Sequence, residues 1–162
     1  MNVSSGVVVD QAVRLMNVRC DYLAQRVTQR RNSGRVPRVC LYALTVGQQQ
    51  PCRSLDESKG FAVEQGWHVG RRAFTDHFGA TDPQTRPGWG LVRQQIRAGF
   101  ADGVVVLTQS VISPHLDEFE RQLSWFETHL GFIALVTPER SSRATAGLRA
   151  AEMRTRRSFR SI

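Results

Sequence analysis

Residues 86–139 read RPGWGLVRQQIRAGFADGVVVLTQSVISPHLDEFERQLSWFETHLGFIALVTPE, and this stretch decides the fold. Pro87 opens a helix that runs to about Ala98 and closes at Gly99, since proline suits the first helical turn and glycine the residue past the last. Gly103–Leu107 is an apolar run that reads as a buried strand. Ser113-Pro114 supplies an N-cap and first-turn pair, with Asp117 and Glu118 placed where the helix dipole favours acids. That helix reaches about His129 and closes at Gly131, and Phe132–Val136 is the next strand. Helices alternating with strands in this way give an α/β fold with a mainly parallel sheet. Ligands in such sheets sit beyond the carboxyl ends of the strands. The exit from Val104–Leu107 runs Thr108-Gln109-Ser110-Val111-Ile112-Ser113-Pro114, with no Asp, Glu, Lys, Arg, His or Cys before His115. A strand exit without a charge argues against catalysis there.

Working outward, Val39–Val46 reads as a first buried strand, followed by the loop Gly47-Gln48-Gln49-Gln50-Pro51-Cys52 and a helix from about Ser54 to Gln65, stopped by Gly66. Trp67–Phe74 is a second strand, and 76–87 a polar loop with Gly79, Asp82 and Pro83. Ahead of these, residues 10–31 form an amphipathic helix. Val13, Met16, Cys20, Leu23 and Val27 make its apolar stripe, and Arg14, Arg19, Gln25, Arg26 and Arg30 lie between them. Asn32-Ser33-Gly34 and Pro37 end it. One apolar stripe of this length needs a surface to cover, on the body of the domain or on a second subunit. A last helix is expected over 141–159. The expected architecture is therefore a four- to five-stranded, mainly parallel sheet flanked by helices. It divides into an N-terminal helical extension (1–37), an α/β domain (38–138) and an Arg-rich C-terminal helix (139–162).

The chain has 162 residues and a net charge of +8, and Lys59 is its single lysine. Arginine pairs bidentately with phosphate, so the excess suits a nucleic-acid partner, although GC-rich coding would produce it too. Distribution says more than the total. From Glu139 to Ile162 seven arginines stand against Glu139 and Glu152, a net +5 on one short segment. Cys20, Cys40 and Cys52 have no metal-ligand spacing, and His68, His77, His115 and His129 are scattered. No metal and no cofactor are expected. The cysteines read as reduced, semi-buried thiols of a cytoplasmic protein. No window is apolar enough for a membrane span, and no secretory signal pattern opens the chain.

The order of these pieces resembles the catalytic domain of resolvase/invertase-type serine recombinases, over about residues 38–138. The family's Tyr-x-Arg-x-Ser strand and Gln-rich helix start match Tyr42-Ala43-Leu44-Thr45-Val46 and Gly47-Gln48-Gln49-Gln50. Its Gly-Trp-x-Val strand matches Gly66-Trp67-His68-Val69. Asp76, Arg86-Pro87-Gly88, Arg97-Ala98-Gly99 and Asp102-Gly103-Val104-Val105-Val106 follow in family order, and Gln109–Pro114 aligns with the Leu-Asp-Arg-Leu-Ser-Arg signature. The resemblance places the nucleophilic serine on Val46 and the arginine two before it on Leu44. The signature Asp falls on Ser110, its flanking arginines on Val111 and Pro114, and an upstream lysine on Leu107. Arg86 alone is retained. Recombination of this kind needs a serine Oγ to attack a phosphodiester while arginines neutralise the pentacoordinate phosphate. One lost cation costs about 10²–10³ in rate, and here the nucleophile and most cations are gone together.

The resemblance thus implies a catalytically inactive accessory or dimerisation module in DNA recombination. It would be a homodimer, or a heteromer with an active recombinase. It would hold DNA non-specifically, by phosphates, through Arg143, Arg149, Arg154, Arg156, Arg157 and Arg160. Two alternatives stay open: an active recombinase with a relocated nucleophile, and a protein-interaction scaffold without nucleic acid. Against the first, Thr45 should point away from the pocket of Val46 because neighbouring strand residues face opposite sides. Ser110 has no base within sequence reach, and Ser113 is accounted for as a helix cap.

Overall fold

The computed structural model describes residues 3–45, 51–77 and 81–139, with side chains from Val9 onward. The expected helix over 141–159, Val46 and the Gln48–Gln50 run lie outside the described residues. In chain order the elements are α1 (Val3–Asn32), β1 (Arg38–Leu44), α2 (Cys52–Glu64), β2 (His68–Asp76), α3 (Pro87–Arg97), β3 (Gly103–Val106), a short α4 (Gln109–Ile112), α5 (Leu116–Thr128) and β4 (Phe132–Leu135). A 3-10 turn at Pro83–Thr85 precedes α3. The four strands form one sheet in the order β2-β1-β3-β4, and every pairing is parallel. The α/β class read from residues 86–139 is the observed one.

Strand alternation sorts the core into two faces. Cys40, Tyr42, Val104, Val106, Ile133 and Leu135 pack with Trp89, Val92 and Ile96 of α3 and Phe119, Leu123 and Phe126 of α5. Val39, Leu41, Val105, Phe132 and Ala134 point the other way, onto Ala62 of α2 and Trp67. Burial of both faces explains the near-continuous apolar runs, which a half-solvated sheet would interrupt. Gly103 opens β3 because a Cβ there would come within 2.4 Å of the Phe132 ring.

α1 lies on the body of the domain and covers the outer strand β4 and α5. Leu15 enters the core on the α3/α5 side, and Leu23 and Val27 pack on the opposite cluster. Reading Arg19 as part of the polar face is corrected here: it is 4% exposed. Its guanidinium grips both carboxylate oxygens of Glu139, with Nη2 2.9 Å from Oε2, and donates from Nη1 to the carbonyl of Ile133 on β4 at 3.2 Å. Arg30 donates from Nε to Asp102 at 2.7 Å, and Asp102 also accepts from the backbone N–H of Arg38. Along this helix the arginines, as much as the apolar stripe, are what hold it. An outer strand shielded in this way is closed to pairing with another chain.

α1 begins at Val3, ahead of the expected residue 10, β1 ends at Leu44 and not at Val46, and both ends of α5 differ from expectation. The helix expected to start at Ser113-Pro114 begins only at Leu116, as α5, and the single turn α4 precedes that pair. Ser113 stays extended between α4 and α5. Its Oγ accepts from His115 N–H at 3.0 Å and donates to Glu118 at 3.1 Å, so it ties the turn ahead of the helix instead of capping it. At the far end of α5 the left-handed residue is Leu130 (φ 60°), not Gly131. Gly131 is needed for space, because a Cβ there would meet Ile96 at 2.8 Å and Phe126 at 3.0 Å.

Candidate functional site

At the carboxyl ends of β1 and β2 the central group is Asp76, the last residue of β2 and 5% exposed. Its carboxylate accepts three hydrogen bonds. Gly88 N–H reaches Oδ1 at 2.8 Å, and Trp89 N–H and Tyr42 O–H reach Oδ2 at 2.9 and 2.7 Å. Asp76 therefore caps α3 from another strand, where the first amides of the helix are otherwise unpaired and its dipole favours an anion. Gly88 permits the approach, since a Cβ there would lie 2.4 Å from the Thr75 carbonyl. Tyr42 packs edge-on to Trp89, ring centroids 5.0 Å apart. Trp89 Nε1–H donates to Gln122 Oε1 at 2.7 Å, and Gln122 Nε2–H to Gln84 at 3.1 Å. These contacts bind strand, helix and loop into one rigid corner.

Arg86, the residue before α3, is 3% exposed. Its Nε and Nη2 donate to the carbonyl of Thr81 at 3.0 and 2.8 Å, and its Nη1 to the carbonyl of Val111 at 2.7 Å. Three of the five guanidinium N–H groups are thus held by main-chain carbonyls of the loop before α3 and of α4. Around this centre, Leu44 and Val111 are partly buried against the core, and Leu107 is half-buried. Ser110 and Pro114 are exposed. Ser110 Oγ lies 2.9 Å from Thr108 Oγ1, a hydroxyl pair with no base between them. Val46 and the six tail arginines fall outside the described residues.

One contact was not read from the sequence. Thr45, 3% exposed, has Oγ1 2.7 Å from His77 Nδ1 and 3.3 Å from the Asp76 carbonyl. Its N–H also donates to Asp76 O at 2.9 Å, continuing the β1–β2 ladder by one residue. A hydroxyl beside an imidazole is the minimum for an activated nucleophile. The signal that could have found it is register: Leu44 pairs with Asp76, so the residues that follow each of them leave the sheet side by side. Among the described residues no three His, Cys, Asp or Glu side chains converge as a metal site would require.

Two weak acids on this side of the sheet, Cys40 and Tyr42, are held in their neutral forms. Burial pushes the Cys40 thiol up to about 12 from an ordinary 9.0. Burial, and after it the bond to Asp76, raises the Tyr42 hydroxyl above its usual 10.0. Both keep their protons in the fold at a pH where the unfolded chain releases them. Their contribution is complete below pH 9 and is lost as pH rises from there towards 12. From Cys40 alone, stability at pH 10.5 should be about 2 kcal/mol below that at pH 8. Urea midpoints at the two pH values measure this, and Cys40→Ala should remove that part of the slope. A midpoint that does not move with pH would contradict the burial of this thiol.

No protein-family model matches the sequence, and no curated protein is similar enough in sequence to be identified. Solved structures do match the fold. The N-terminal catalytic domain of TP901-1 integrase superposes with a TM-score of 0.55 at 20% identity, covering 76% of this chain and 95% of that one. The C-terminal catalytic domain of ISC1926 TnpA, an IS607-like serine recombinase, gives 0.54 at 18% identity, covering 61% and 70%. The parallel β2-β1-β3-β4 sheet and its flanking helices are thus the fold of a serine-recombinase catalytic domain.

Proposed function

We propose that this chain is a serine-recombinase-type domain that no longer performs recombination. It serves instead as an accessory, DNA-associated module that pairs with itself or with an active recombinase. The observation that carries the reading is the state of Arg86: the one retained position of the family's cluster is buried and commits three of its five N–H groups to the Thr81 and Val111 carbonyls, so it braces backbone where the family reaction needs a cation on phosphate. Apolar Leu44, Leu107 and Val111 stand where cations would be needed, and an apolar side chain offers a developing phosphorane no charge. Residues 1–37 act in this reading as a clasp on the 38–138 body, and 139–162 as the DNA-holding segment.

DNA contact through Arg143, Arg149, Arg154, Arg156, Arg157 and Arg160 would be phosphate-directed, because a short basic segment reads no base edges. Six phosphate contacts imply a loss of about 10³ in duplex affinity between 50 and 200 mM salt. Titrating a labelled duplex at both concentrations tests this. Affinity that stays level would favour the scaffold without nucleic acid. A second reading, relocated chemistry, is favoured by the Thr45–His77 contact. Against it, the threonine is buried, and its single proton is shared between His77 and the Asp76 carbonyl.

A further inference from the structure

The opposite, amino-terminal end of the sheet carries a second feature. Between the pairs Val39↔Val69 and Leu41↔Ala73, β2 holds two more residues than β1, so Gly70-Arg71-Arg72 bulges from the open edge. Beside the bulge is a cleft of about 290 Å³, lined among others by Arg38, Arg71, Arg72, Phe74, Gln95 and Phe100. No Asp or Glu lines it, and neither Arg71 nor Arg72 meets a carboxylate among the described residues. Arg72 lies over the Phe74 ring at 5.5 Å, and Arg38, which pairs with Asp102 through Nε at 3.6 Å, is braced from its Nη2 by the Gly99 carbonyl at 2.7 Å. Two of the three cationic groups, Arg38 and Arg72, are held in place before anything binds.

Phe100 is the part that edge protection does not explain. Charged residues on a bulged outer strand discourage pairing with another sheet, and that would account for Arg71 and Arg72. It would not call for a phenylalanine 67% exposed at the rim. The backbone that carries the ring is fixed. Gly99 (φ +79°) and Phe100 close α3 by N–H bonds to the carbonyls of Ile96 and Gln95 at 3.1 and 3.0 Å. In this type of helix end the residue at Phe100's position commonly folds its side chain back on the helix. Here it faces solvent next to three arginines.

We propose that this cleft binds single-stranded nucleic acid, its phosphates on Arg38, Arg71 and Arg72 and an unpaired base stacked on Phe100. A groove of cations with an aromatic platform is what sequence-independent single-strand binding needs. In a duplex the bases are already stacked on one another, which would leave Phe100 without a partner. The site stands on the body of the domain and does not depend on the C-terminal arginines.

The test uses the full chain and fluorescence anisotropy of a labelled 12-nucleotide deoxy strand and its duplex, at 50 and 200 mM salt. Arg71→Gln/Arg72→Gln should weaken single-strand binding and reduce its salt slope by about 1.4, two contacts at 0.7 each. Phe100→Ala should weaken the single strand about fivefold or more and move the duplex less than twofold. Single-strand affinity unchanged in both variants overturns the proposal. So does competition by poly-glutamate that Phe100→Ala leaves intact, since that would mark a site for acidic polypeptide. Arg154→Gln/Arg156→Gln/Arg157→Gln separates this claim from the accessory-module reading. If that tail variant alone abolishes binding, the cleft is refuted and the tail stands. If it changes nothing while the cleft variants weaken the single strand, the cleft stands and the tail reading fails.

Discussion

Asp76→Ala should lower the stability of the domain by about 4 kcal/mol, read as a fall in the urea midpoint at unchanged slope. Three donors converge on this carboxylate: the amides of Gly88 and Trp89 and the hydroxyl of Tyr42. A buried donor left unpaired costs about 1–3 kcal/mol, and loss of an anion at a helix start adds up to about 2. Relief from burying an ion offsets part of that sum. Asp76→Asn keeps one acceptor oxygen and should fall between wild type and alanine. Tyr42→Phe, which removes one donor and its need for a partner, should cost about 1 kcal/mol. Native domains have only about 5–15 kcal/mol in hand, so the alanine variant approaches unfolding. A loss below 1 kcal/mol would mean that α3 is not anchored at this corner.

Arg19→Met should be nearly as damaging, by about 3–5 kcal/mol. It leaves the Glu139 carboxylate, 8% exposed in its side chain, buried without its guanidinium, and it strips a donor from the Ile133 carbonyl. Part of that cost falls on the Glu139 charge, so Arg19→Met/Glu139→Gln should recover part of the loss. α1 should also loosen, exposing the 33–37 linker to trypsin at Arg35. A single variant as stable and as protease-resistant as wild type would show that the apolar stripe alone seats the helix.

How far the sequence carried the fold differs from element to element. β1, β3 and β4 could be read because both faces of the sheet are covered, which turns each into an apolar run. α4 could not, since four residues are too few to show a helical period. The bulge in β2 was hidden because Gly70-Arg71-Arg72 looks like any exposed strand until its register with β1 is known. Arg19 was assigned to the wrong face because its partner is 120 residues away.

The site divides in the same way. Position in an ordered set of motifs pointed to Arg86, but what occupies it could not be read, because its acceptors are main-chain carbonyls of Thr81 and Val111. Backbone acceptors leave no trace in residue type. The same holds for the Trp89–Gln122–Gln84 chain, whose members look like ordinary helix and loop residues until they meet. Thr45–His77 needed the pairing of two strand ends that the strand pattern places in sequence but not side by side.

The central claim, a recombinase fold without the reaction, is tested most directly by looking for covalent chemistry on DNA. The full chain would be incubated with a supercoiled plasmid carrying its gene's own flanking DNA, then separated under denaturing conditions. The account predicts neither nicked plasmid nor a detergent-resistant protein–DNA adduct, and a result identical for wild type, Thr45→Ala and Ser110→Ala. An adduct formed by wild type and lost in either variant would contradict it and would identify the hydroxyl that had taken over.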